Sequence, residues 1–221
     1  MDPLNFIPIA VVFFIVLLIT GYTAGKKRRE TFHRFARRRG LSFSGRADVN
    51  AEEGLESFTL FSDDTGKNLS NLIKGEMDGV YIKIFDYRSR TGTGQTRAMK
   101  RESVIILQSK ILRLPSFEMY PVNIIHKILP LKRNQDIDFQ TAEGFSKAYL
   151  LRSYEENAIR EIFDDQVLSY FENHTGLTIE GNGDRLLYYR DGTLMKPDEI
   201  QPFLMEGIEM VKLFESRMKS S

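Results

Sequence analysis

Basic residues crowd a glycine-bearing stretch in the first half of the chain. Arg88, Arg90, Arg97, Lys100 and Arg101 surround Thr91-Gly92-Thr93-Gly94-Gln95-Thr96. Glycine lets backbone amides approach an anion, so Arg88, Arg90, Gly92, Gly94 and Arg97 are candidate ligand-binding residues for a phosphorylated molecule. Walker and dinucleotide loops open a helix, however, and here a strand-like run follows and the third glycine is missing. The plainer expectation is a hairpin loop with solvated charges.

The remaining candidates are carboxylates and histidines. Asp136 and Asp138 share one face of a predicted strand and are a candidate divalent-ion pair, set against ordinary solvated charge. Asp164 and Asp165 are adjacent and share no useful face. His33, His126 and His174 are the only histidines, and no two stand at metal-ligand spacing. Asp86 is different. Alternation puts it on the same side of its strand as Val80, Ile82 and Ile84. A carboxylate on a buried face needs backbone amides or a cation, so Asp86 is expected to be a structural anchor. No metal site and no cofactor is called.

The elements that must position these residues are legible in part. Asp78-Gly79 tolerates the positive φ angles of a tight hairpin turn, and Val80–Tyr87 after it has strand composition. A second strand follows over Glu102–Ser109. Phe58–Phe61, Phe117–Tyr120, Ile137–Phe139 and Ala148–Leu151 read as further short strands, Phe117–Tyr120 at an edge. Leu69, Leu72 and Ile73 fit either a helical turn or a strand. From Ser153 to His174 apolar residues recur at steps of three and four, predicting one amphipathic helix that opens on a Ser153/Glu156 capping box and stops at Gly176. Leu177–Glu180 and Arg185–Arg190 flank Gly181-Asn182-Gly183-Asp184, a predicted hairpin with a four-residue loop. Pro197-Asp198-Glu199 opens a last helix. This order predicts an α+β domain: an antiparallel sheet built from hairpins, with two C-terminal amphipathic helices.

In front of it, Leu4–Tyr22 is nineteen residues without a formal charge. As a helix it spans roughly 28 Å, close to a hydrocarbon core, and predicts one transmembrane helix. Lys26 to Arg39 then holds eight basic residues and one acid. Lys26, Lys27, Arg28, Arg29, Arg37, Arg38 and Arg39 are expected at the membrane surface, with Phe32, Phe35 and Ala36 on the apolar side of a short surface helix. The expected division is an anchor over 4–22, a basic juxtamembrane segment and connector over 23–54, and a globular domain over 55–217. Basic flanks stay in the cytoplasm, which places the domain on the cytoplasmic side of an inner membrane and the N-terminus outside.

Composition excludes some classes. The 221 residues contain no cysteine, so disulfides, zinc–thiolate sites and thiol nucleophiles are impossible. The net charge of +1 hides a split: residues 40–221 carry 23 basic and 28 acidic side chains. A mildly acidic domain argues against nucleic acid as a partner.

Lys74-Gly75-Glu76 with Phe85-Asp86-Tyr87, Leu114-Pro115-Ser116-Phe117, and Phe145-Ser146 with Tyr149 together resemble a group of bacterial single-span membrane proteins with a GE…G…FDY, LP-F and FS-x-x-Y pattern. The resemblance covers most of residues 58–215. It implies a bacterial inner-membrane setting and brings no activity or site residues. The expected function is a membrane-anchored, non-enzymatic module that binds a protein partner or anionic lipid headgroups. The alternatives are a domain for a phosphorylated small molecule or nucleotide, and a metal-assisted hydrolase using Asp136 and Asp138.

Overall fold

The computed structural model describes residues 6–62, 65–91, 98–124 and 136–218. Among these residues nine strands form one sheet in the order β1-β2-β3-β4-β9-β8-β5-β7-β6. They are β1 Ser42–Ala47, β2 Thr65–Met77, β3 Val80–Thr91, β4 Ala98–Gln108, β5 Leu114–Pro121, β6 Asp136–Ile137, β7 Tyr149–Ser153, β8 Thr178–Gly183 and β9 Arg185–Tyr189. Every pairing is antiparallel. The helices are α1 Phe6–Arg38, α2 Glu143–Ala148, α3 Glu156–Ile162, α4 Asp165–Asn173 and α5 Ile200–Met218.

Strands β1 to β4 form a meander. Met77 pairs Val80 across the Asp78-Gly79 turn, with φ of 54° and 79°. Those positive angles match the twist of the flanking strands. The β8–β9 connection is tighter than expected: Asn182 pairs Arg185, leaving Gly183 at φ 59° and Asp184 as a two-residue turn. Phe117–Tyr120 belongs to β5, which is interior rather than an edge, flanked by β8 and β7.

The sheet has two apolar faces. On one, α1 and α5 pack with α2, α3 and α4 over Ile82, Ile84, Ile105, Ile179 and Tyr188. On the other, a smaller cluster of Leu69, Leu72, Phe85, Tyr87, Val104, Ile106 and Leu187 is roofed by Leu55, Phe58, Leu60 and Phe61. The expected strand at Phe58–Phe61 is therefore a 3-10 turn over Thr59–Phe61 that lies across the sheet.

Two further helical expectations change. The segment 153–174 is two helices, because Asp164 stops one and caps the next by accepting Gln166 N–H at 3.1 Å and Val167 N–H at 3.0 Å. Ser153 is not the N-cap, which is Glu155; its hydroxyl donates to the Ser116 carbonyl at 2.7 Å and accepts the Glu155 N–H at 3.0 Å.

The expected transmembrane helix is overturned. Among the described residues no helix is long and apolar enough to cross a membrane. The single-pass inner-membrane placement and its topology fall with it. The physical reason lies in α1. It does not stop at Tyr22 but runs unbroken to Arg38, through the basic block. Phe32 and Ala36 are fully buried against the sheet, so the stripe expected on a membrane surface is core instead. The stretch read as juxtamembrane segment and connector supplies both this helical half and strand β1.

Candidate functional site

The site begins with an irregularity in β2. Ser70 pairs Asp86, but the next recorded partners are Ile73 and Ile84, so β2 carries one extra residue there. That bulge inverts the side-chain alternation: Leu72 joins the small cluster and Ile73 the large one. Asn71, at the bulge, has a φ of 55°, a left-handed conformation that Asn tolerates better than most residues. Its amide donates to Asp86 Oδ2 at 2.8 Å.

Asp86 faces α1, on the side its alternation with Ile82 and Ile84 requires. Its cation is Arg28. Nε donates to Oδ2 at 2.7 Å and Nη2 to Oδ1 at 2.6 Å. The Ser103 hydroxyl donates to Oδ1 at 2.8 Å. Four donors thus fill all four lone-pair positions of the carboxylate. The clamp extends further, since Arg28 Nη1 reaches the Met195 carbonyl at 2.5 Å and its guanidinium lies 4.7 Å from the Phe32 ring centroid. Met195 N–H returns to the Ser103 oxygen at 3.0 Å. One ion pair therefore ties α1, β3, β4 and the segment before α5. A carboxylate so saturated has no free lone pair for a metal.

Beyond the clamp the sheet floor is cationic. Register places Arg46, Ser70, Asp86 and Ser103 in one row across four strands. The next row is Asn68, Arg88 and Arg101. Arg88 and Arg101 are direct cross-strand partners, and like charges so placed repel. Neither has a carboxylate partner among the described residues; Arg101 has only the Met99 sulfur at 3.4 Å. The one acid of the floor, Asp86, is already neutralised by Arg28.

Over this floor α1 leaves a gap. A cleft of about 690 Å³ is lined by Gly21, Ala24 and Gly25 above, Arg46, Asn68, Arg88 and Arg101 below, and Leu194 at its mouth. A second cleft of about 580 Å³ opens toward Lys26, Arg29, Glu30 and Gly45. Arg46 and Arg88 are exposed and available.

The residues singled out by sequence are divided by the structure. Arg88 is in the cleft. Arg90 is exposed two pairs further along β3, opposite Met99. Gly92, Gly94 and Arg97 lie outside the described residues. Lys26, Lys27, Arg29, Arg37, Arg38 and Arg39 are exposed, whereas Arg28 turns inward. Arg101 was named among the basic residues around the loop but not as a candidate ligand residue, and Arg46 was not singled out; strand pairing, which single-sequence reading does not give, brings both to Arg88. Lys100, four residues past the glycine loop, points to the other face and pairs Glu102 at 3.2 Å and Asp191 at 2.6 Å.

The other candidates disperse. Asp136 is held by Arg152 Nε at 2.6 Å, and Asp138 is exposed. His33 lies 5.1 Å from Phe43, ring to ring, and His174 stacks on Tyr170 at 4.0 Å. His126 lies outside the described residues. Among the described residues no group of three or more His, Asp or Glu is placed to hold a metal ion.

No family model and no curated protein matches the chain. Among solved structures it is similar in fold to the mycobacterial trehalose monomycolate transport factor A, TtfA. The TM-score is 0.54 at 14% identity, over 88% of this chain and 93% of that one.

Proposed function

We propose that this chain is a non-enzymatic binding module whose cleft under α1 receives an anionic lipid headgroup. The observation that carries this is the Arg88–Arg101 pair, two facing cations without an acid, in a cleft whose single carboxylate is fully engaged. A bound anion relieves the repulsion between them and is held by charge-assisted hydrogen bonds. The fold likeness to TtfA, a transport factor for trehalose monomycolate by its description, supports a lipid as the source of the ligand.

The test is sedimentation with neutral phosphatidylcholine vesicles containing increasing shares of phosphatidic acid. Binding should rise with the acidic share, and Arg88→Glu with Arg101→Glu should abolish that rise. Binding indifferent to vesicle charge, or unaffected by the two reversals, overturns the reading. A soluble phosphorylated small molecule is a second reading, favoured by the cleft's size, which lies within the range of small-molecule sites.

A further inference from the structure

The two clefts beside α1 adjoin. Both are lined by Gly21, Gly25, Arg46, Asn68, Ser70 and Asn71. One opens toward Arg88, Arg101 and Leu194, the other toward Lys26, Arg29, Glu30 and Gly45. They share these six residues beneath the helix. Gly21 and Gly25 stand one helical turn apart over this space, and a Cβ added at either meets nothing within 4 Å. Glycine pairs at this spacing ordinarily let two backbones touch; here both are exposed and a side chain would stand in open space. Each glycine costs the helix about 1 kcal/mol relative to alanine. Packing does not explain that cost, whereas clearance for something passing below does.

The floor specifies the chemistry. Arg46 and Arg88 are about 12 Å apart at Cα, from a strand spacing of about 4.8 Å and a rise of about 3.3 Å per residue. Long side chains can close that distance on one anion. Three guanidinium groups exceed what a single carboxylate charge needs and suit a phosphate, which accepts paired N–H donors.

We infer that the clefts form one passage under α1 that takes an elongated phosphate ester, its phosphate on the Arg46–Arg88–Arg101 floor and its remainder running out beneath Gly21 and Gly25. This rests on the proposed function and adds the ligand's shape and head chemistry. The ligand's source, a lipid headgroup or free phosphate, is separated by the probes.

The experiment titrates dihexanoyl phosphatidic acid and inorganic phosphate into four proteins by calorimetry. These are the unaltered chain, Gly21→Leu with Gly25→Leu, Gly21→Ala with Gly25→Ala, and Arg88→Glu with Arg101→Glu. The leucines fill the passage without altering charge and raise helix propensity. The alanines raise propensity and leave it open. The unaltered chain should bind the lipid phosphate at least tenfold more tightly than inorganic phosphate, about 1.4 kcal/mol. The leucine pair should weaken the lipid by at least tenfold and leave inorganic phosphate unchanged, while the alanine pair leaves both unchanged. Charge reversal should abolish both. Lipid binding that needs the arginines but ignores the leucines overturns the passage and leaves the proposed function standing. Equal affinity for both probes also overturns the passage, making free phosphate the ligand. No arginine-dependent binding of either probe overturns both readings.

Discussion

Two carboxylates are buried on opposite faces of this sheet and are satisfied in opposite ways. Asp86, under α1, has a guanidinium, a side-chain amide and a hydroxyl. Glu180, on the other face, makes no ion pair among the described residues: it accepts the Thr59 and Leu60 amides at 2.6 and 3.1 Å, at the start of the 3-10 turn that roofs the small cluster. Its direct cross-strand neighbour is another acid, Glu118, which is engaged by the Thr59 and Tyr120 hydroxyls. Burial, and then the Glu118 charge, push Glu180 up to about 8 against the pull of the two amides. Asp86 is thus an ion-paired anchor beside a cationic site, and Glu180 is a latch that holds a proton through neutral pH. A carboxylate's role follows from its neighbours rather than from its depth.

The contrast can be broken first at the clamp. Asp86→Ala strands Arg28 in a half-buried position and should cost about 3–5 kcal/mol in urea unfolding. Asp86→Leu combined with Arg28→Met removes both charges and should recover much of that loss. A double variant as unstable as the single one shows that the pair carries packing no apolar replacement supplies.

The next largest effect is at the latch, where the sign is set by linkage. Between about 4.5 and about 8 the folded chain holds a proton on Glu180 that the unfolded chain has released. The stability contributed by this group therefore falls as pH rises through that window and is level above it. Glu180→Gln should flatten the decline and unfold at higher denaturant than the unaltered chain at pH 8, by roughly 1–3 kcal/mol. Glu102, buried and also shifted up by burial, leaves a residual slope of the same sign. An unchanged profile in Glu180→Gln removes the latch.

Smaller effects sharpen the comparison. Asn71→Ala loses a bond to Asp86 and keeps an unfavourable φ, and should cost about 1–2 kcal/mol. Asn71→Gly loses the bond but relieves the backbone, so it should lie between. Gly79→Ala, at φ 79° in a turn remote from both carboxylates, should cost about 1 kcal/mol and leave vesicle binding unchanged.

Local chemistry made some of this legible. The Asp-Gly turn needs only two residues to be recognised, and the alternation Val80-Ile82-Ile84-Asp86 already implies a buried acid that needs a partner. The identity of that partner does not follow. Arg28 lies 58 residues away, inside a basic run whose simplest explanation is membrane topology. The same run misleads about α1, because hydropathy weighs Leu4–Tyr22 without the polar half that continues the helix. The bulge at Asn71 is equally hidden: nothing in Ser70-Asn71-Leu72 announces that the face reverses there. Of the cleft, Arg88 was found through its neighbours in sequence. Arg101 was named beside it, but that it faces Arg88, and that Arg46 joins them, follows only once β1, β2, β3 and β4 are in register.

The Arg28 clamp also imposes an order on synthesis. Its contact with the Met195 carbonyl spans 167 positions. At about 5–20 residues per second, α1 emerges roughly 10 to 30 s before its last partner exists. During that interval the meander β1–β4 can pair, and Asp86 can meet Arg28, but the fourth side of the clamp is still being made. A nascent chain of this protein therefore carries its first helix half-fastened for most of its own translation, and a ribosome stalled short of Met195 presents a cleft with its mouth unbuilt.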